Sequence, residues 1–116
     1  MSREWTQEEI QHKFLHHLWA AVKYWEEQTE YDSKRKLEGL MHTFLATLDG
    51  CTADLPGFDL VARPHPSDKQ YCIDNDENYY PENKVPEDTV TVHGNDSLHE
   101  IMYKFGRKYG FLPAGE

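Results

Sequence analysis

Histidine, aspartate and cysteine side chains stand close together near the middle of the sequence, where they could form a nucleophile with its general base. These residues are His65, Asp68 and Cys72. A cysteine nucleophile needs an imidazole within hydrogen-bond reach, and that imidazole needs a group to orient it. Sequence spacing alone does not bring the three together. The glycine-containing motifs GxSxG, GxxxxGK[ST] and GxGxxG are absent, so we expect no catalytic residues and lean against an enzyme.

A second group of carboxylates follows directly and resembles part of a calcium-binding loop. Asp74, Asp76 and Asn78 match the first three ligand positions of the pattern D-x-[DN]-x-[DN]-G. Tyr79 stands where the pattern has glycine, and Val85 stands where it has the closing bidentate glutamate. The sequence therefore argues against an EF-hand. It predicts either weak surface binding of a divalent cation by these three residues or a solvated acidic turn.

The same irregular region contains four residues that could bind a ligand or a protein partner: His65, Asp68, Tyr79 and Tyr80. Tyrosines are rigid anchors at protein interfaces, and carboxylates favour a basic or amine-bearing partner. The alternative is that the tyrosines cover the edge of a small sheet or cap the small core. A long loop within a small domain is commonly functional, so we keep these four residues as a candidate site.

A pair of histidines near the N-terminus has the spacing of helical metal ligands. His12 and His16 are four residues apart and share one face of a helix. A structural zinc site takes four ligands and a catalytic site takes three, but the local sequence supplies no third ligand. We therefore expect a solvated polar face here, with His17 as a half-buried packing residue.

Three helices are predicted to position these residues. The first covers about 4–28, with a capping box at Thr6 and Glu9. The second covers about 33–48 and follows Asp32 or Ser33 as its N-cap, although residues 41–48 also fit a strand. The last helix follows Asn95, Asp96 or Ser97, with Ser97 and Glu100 in capping-box spacing, and ends at Gly110.

Alternation of apolar and polar residues predicts three short strands, at about 58–63, 70–73 and 89–92. The expected fold class is therefore α+β. In this fold an N-terminal helical hairpin and a C-terminal helix pack on a small antiparallel sheet of two to three strands. At 116 residues the chain is expected to form a single domain, 1–116.

The composition limits the classes of partner. The formal net charge is −9, which disfavours direct binding of nucleic acid because phosphates are also anionic. No apolar stretch is long enough to span a membrane, and no signal peptide is visible, so we expect a cytoplasmic protein with reduced cysteines, no cofactor and no membrane contact. The fifteen aromatic residues exceed what one small core can bury, which predicts a homodimer or another protein partner.

A longer stretch carries a resemblance to a known pattern. The segment from Leu37 to Pro81 includes LEGLMHTFLATLDG, LPGFDLVARPHPSDKQY and DENYYP. It resembles small uncharacterised bacterial and phage-associated proteins that share a domain of unknown function. The resemblance implies no reaction and no catalytic residues. It implies an accessory protein that acts by binding.

Three functions follow from these observations. The first is an accessory or binding protein that acts through protein interaction or self-association. The second is a metal-dependent hydrolase that uses the histidine and aspartate residues of 65–78, with His93 or His99 as a further ligand. The third is an acidic regulator that occupies a nucleic-acid-binding protein.

Overall fold

The computed structural model describes residues 2–113 and is helical. Its elements are α1 (Gln7–Glu26), α2 (Ser33–Leu48), α3 (Asp68–Asp74), a 3-10 turn (Pro86–Asp88) and α4 (Leu98–Lys108). The chain divides into two compact units, Met1–Phe58 with Ser97–Glu116 and Asp59–Asp96. The expectation of a single domain stays a prediction.

Helix α1 confirms the first predicted helix, with ends two or three residues inside the expected range. Its N-cap is Thr6, whose hydroxyl accepts a hydrogen bond from the backbone N–H of Glu9, and the Glu9 carboxylate accepts one from the backbone N–H of Thr6. Arg3 pairs with the same carboxylate at 2.8 Å. The predicted capping box is therefore confirmed, and it satisfies two N–H groups that have no partner within the helix.

Helix α2 covers the predicted residues, so the alternative of a strand over 41–48 is wrong. Asp32 is the N-cap and accepts a hydrogen bond from the N–H of Arg35 at 2.9 Å. Gly39 is buried against the ring of Trp25 in α1. A strand would turn successive side chains to opposite faces, and it would remove this close packing of α2 on α1.

Helix α4 packs against α2. Ser97 is its N-cap, as expected, but the Ser97 side chain makes no capping hydrogen bond, so the predicted capping box with Glu100 is wrong. The helix ends at Lys108, and Gly110 adopts a positive φ of 82° just beyond it. This left-handed conformation is the one that glycine adopts without strain at a helix C-terminus.

The α+β class is wrong, because the part of the chain that the structure describes forms no strand and no sheet. The expected strands at 58–63 and 89–92 meet only at one isolated antiparallel bridge between Val61 and Thr91. The expected strand at 70–73 lies inside helix α3. The Asp68 carboxylate accepts a hydrogen bond from the N–H of His65 at 3.0 Å and closes a turn from which α3 begins.

In the unit Asp59–Asp96, one side chain supplies hydrogen bonds that link the two segments expected to form strands. The buried amide of Asn83 donates to the carbonyl of Ala62 at 2.7 Å and accepts from the N–H of Val90 at 2.9 Å. One further backbone bond joins Val92 to Leu60 at 2.8 Å. Because one amide satisfies backbone groups of both segments, they stay together without a hydrogen-bonded ladder.

Candidate functional site

The structure brings His65 and Asp68 together, but the group of His65 that contacts Asp68 is its backbone N–H and not its ring. The Asp68 carboxylate accepts from the His65 N–H, and the His65 Nδ1 lies 2.8 Å from the Ser67 hydroxyl. Both residues are exposed. These bonds shape the turn before α3, and the assignment of His65 and Asp68 to ligand binding stays a prediction.

Tyr79 and Tyr80 are exposed in the same unit. The ammonium group of Lys69 lies 5.5 Å from the centre of the Tyr79 ring, within the range of a cation–π contact. One face of the Tyr79 ring is thus in contact with a lysine of its own chain. The prediction that the two tyrosines bind a partner is neither confirmed nor contradicted by this arrangement.

The predicted cation ligands lie on the surface at the end of α3. The Asp74 carboxylate accepts a hydrogen bond from Gln70 at 2.9 Å, and Asp76 has a positive φ of 55°. Within residues 2–113 no group of three or more histidine, cysteine, aspartate and glutamate side chains is placed to hold a metal ion. Weak binding of a divalent cation by Asp74, Asp76 and Asn78 stays a prediction.

The remaining histidines named for a metal site have other contacts. His93 Nε2 lies 3.6 Å from the Asp59 carboxylate. His12 and His16 stack with their ring centres 5.9 Å apart, and both are exposed. His17 is half-buried, and its Nε2 lies 3.0 Å from the Thr47 hydroxyl in α2. The expectation that His17 is a packing residue is confirmed.

The closest ionisable pair in the described chain joins His99 and Asp49. The Nδ1 of His99 lies 2.6 Å from Asp49 Oδ2, and the backbone N–H of His99 donates to the same oxygen at 2.9 Å. The Asp49 side chain is 4% exposed. Burial raises the pKa of Asp49. The hydrogen bonds from the backbone and ring of His99, the backbone of Leu98 and the charge of His99 together outweigh burial, so the pKa lies below its usual value.

Two aromatic rings extend from this pair, the first in contact with His99 and the second in contact with the first. His42 of α2 meets His99 edge-on with ring centres 5.3 Å apart, and Tyr103 stacks on His42 at 6.1 Å. The carboxylate fixes the orientation of the His99 ring, as an orienting carboxylate does for a general base. Sequence reasoning missed the pair because Asp49 and His99 are fifty residues apart, and no local signal connects them.

A ladder of hydroxyl groups joins α1 to α2. Trp25 Nε1 donates to the Thr43 hydroxyl at 3.0 Å, and that hydroxyl donates to the Gly39 carbonyl. The Thr47 hydroxyl donates to the Thr43 carbonyl at 2.8 Å and also meets His17. Thr47 is 0% exposed. These side chains are therefore committed to holding the two helices together.

An apolar groove lies on the surface of the α1–α2 hairpin. It has a volume of about 430 Å³, and we call it the hairpin groove. Leu37, Met41, Phe44 and Val22 are each exposed to solvent, although large apolar side chains in such contiguous patches are uncommon on monomeric proteins. The complete lining is Leu18, Val22, Leu37, Leu40, Met41 and Phe44.

Trp19 stands beside this groove on α1. It is 71% exposed, and Leu15, one turn earlier, is also exposed. Residues three and four apart are neighbours on a helix surface, so Leu15, Trp19 and Val22 form one continuous stripe that leads into the groove. We call this stripe and the hairpin groove together the hairpin face. From their helical spacing, Leu15, Trp19 and Val22 are expected to widen the inward-facing apolar face of α1. That expectation is wrong, because all three side chains are exposed.

No family model, curated protein or solved structure matches the chain. None of the helices formed by residues 2–113 combines the length and the apolar character that are needed to cross a bilayer.

Proposed function

We propose that this protein is a cytoplasmic accessory module that acts by binding protein, and that the hairpin face is its binding surface. The single observation that carries the proposal is the hairpin groove, which is apolar and formed mostly by exposed side chains of two helices. Interface cores are apolar and depleted of charge, with aromatic side chains as anchors. We also propose that residues 37–81 resemble small bacterial and phage-associated proteins, which implies the same accessory role through binding.

The rigidity of the hairpin supports this function. The threonine ladder and the packing of Gly39 on Trp25 fix α1 against α2. A rigid helix face loses little conformational entropy when a partner docks on it, so more of the contact energy appears as affinity. The groove is therefore a preformed site.

Site-directed photo-crosslinking in the producing cells tests the proposal. A benzophenone amino acid replaces Met41 in the groove, and a matched control replaces Tyr24, which is equally exposed at 56% against 54% but lies outside the groove lining. We expect protein adducts from position 41 and not from position 24, and we expect unlabelled wild-type protein to compete for them. Equal adduct yields at both positions would refute the proposal.

A further inference from the structure

We infer that the occupant of the hairpin groove is a second copy of this chain, in a two-fold pairing that places Trp19 of each copy in the groove of the other. The inference rests on the proposed function and names the partner. Its first support is that the hairpin face carries both a side chain that can be inserted and a groove that can receive it. Trp19 is a large exposed side chain, and the open apolar groove beside it has a volume of about 430 Å³.

The spacing along α1 makes this contact self-complementary. In a two-fold interface, if residue i of one copy meets residue j of the other, then j also meets i. When two α1 helices lie antiparallel with the axis between positions 19 and 22, Trp19 of each copy lies opposite Val22 of the other. Val22 lines the groove. The two residues are about 4.5 Å apart along the helix axis, so a single register of the two antiparallel helices makes both contacts at once.

The apolar area is of the size that a dimer requires. Six exposed side chains contribute to it: Leu15, Trp19, Val22, Leu37, Met41 and Phe44. Their exposed fractions, scaled by side-chain size, correspond to on the order of 600 Å² of surface. A standard-size interface buries about 800 Å² per partner, so full burial of these six residues would supply about three quarters of such an interface.

The net charge of the chain makes the salt dependence of pairing a test that separates apolar from electrostatic association. Each copy carries a formal net charge of −9, so two copies repel each other at long range. Salt screens that repulsion and leaves the burial of apolar surface intact. We therefore expect the dimer to become tighter as the salt concentration rises, whereas docking of a basic partner would weaken.

Sedimentation equilibrium of the full chain, at concentrations from about one to two hundred micromolar, measures the pairing. We expect a dimer, with a dissociation constant that Trp19→Ala raises at least about 30-fold, as expected for an interface hot spot. Met41→Lys blocks the groove and is expected to raise the constant similarly. It makes the net charge less negative, so repulsion cannot explain the loss. Tyr24→Ala and Tyr24→Lys are the matched controls and should leave the constant unchanged.

A mixture of the two variants tests the reciprocal contact directly. A Trp19→Ala homodimer lacks both tryptophans, and a Met41→Lys homodimer has both grooves blocked. The mixed dimer keeps one intact contact, between the tryptophan of one variant and the groove of the other. We expect the mixed pair to associate more tightly than either variant alone, measured with one variant fluorescently labelled. Melting curves by circular dichroism check that both variants fold.

Three results would overturn the inference. These are a wild-type chain that stays monomeric at all concentrations, a dimer indifferent to Trp19→Ala, and a mixture no tighter than the separate variants. A monomeric chain that still forms groove-specific photo-adducts with a different protein would leave the proposed function standing and refute only the choice of partner. Photo-adducts from position 41 whose mass is twice that of the chain would support both the proposed function and the choice of partner.

Discussion

The carboxylate of Asp49 at the end of α2 caps the start of α4 through His99. One oxygen of Asp49 accepts both the backbone N–H of His99, at 2.9 Å, and its Nδ1, at 2.6 Å. The Ser97 side chain at the N-cap position makes no such bond. A distant residue therefore satisfies the N-terminus of α4, and its negative charge lies where the helix dipole favours an anion.

Removal of this carboxylate is expected to destabilise the protein. Asp49→Ala should lower the free energy of unfolding by about 2–3 kcal/mol, because a helix cap and a charge-assisted hydrogen bond are lost together. Urea unfolding followed by circular dichroism measures the change. Asp54→Ala, at an exposed aspartate of the same loop, is the control and should cost under about 0.5 kcal/mol. Equal losses for the two variants would contradict the capping role.

The lowered pKa of Asp49 predicts a loss of stability in acid. The folded-state pKa lies below the usual value of 3.8, so the unfolded state binds a proton before the folded state does. The stabilisation is fully present well above pH 3.8 and is lost as the pH falls through the folded-state pKa. Urea unfolding of wild type and Asp49→Asn should therefore differ most near neutral pH and converge at lower pH. A constant difference down to pH 3 would contradict the assignment.

Two buried threonine hydroxyls are expected to respond in opposite ways to the same substitution. The Thr47 hydroxyl contacts both His17 and the Thr43 carbonyl, whereas the buried Thr52 hydroxyl has no hydrogen-bond partner among residues 2–113. Thr47→Val should cost about 1–3 kcal/mol, and Thr52→Val should be neutral or stabilising. Thermal unfolding by calorimetry compares the two. The ladder would have no stabilising role if Thr47→Val were as neutral as Thr52→Val.

Gly39 is expected to tolerate no side chain, although alanine is the better helix former. A Cβ at this position would lie 2.6 Å from the Trp25 ring. We expect Gly39→Ala to destabilise the protein by about 1–3 kcal/mol, despite a gain of about 1 kcal/mol in helix propensity. Gly106→Ala is the matched control, since its Cβ would meet only the flexible Leu112 side chain, at 3.1 Å. Chemical denaturation should show the smaller loss for Gly106→Ala.

Short-range patterns predicted where α1, α2 and α4 lie, because each pattern lies within one element, but they did not predict α3. Thr6 and Glu9 are three residues apart, and their capping box forms as predicted. Asp32 begins α2 in the same way. Residues 70–73 are helical. The strands at 58–63 and 89–92 failed for a physical reason: alternation over a few residues does not supply a neighbouring strand to hydrogen-bond with. At positions 62 and 90 the side chain of Asn83 provides the hydrogen bonds that a neighbouring strand would have supplied.

The amino-acid sequence by itself determined where three of the helices lie, the negative charge of the chain and its surplus of aromatic side chains. Only the tertiary structure decided that Asp49 caps α4, that Thr47 is buried against His17, and that Trp19 remains uncovered beside an apolar groove. Helix propensity and the caps at Thr6 and Asp32 depend on residues within about one turn, so they can be read locally. The partners of buried polar groups and the faces left open depend on how distant elements pack, which no local pattern specifies.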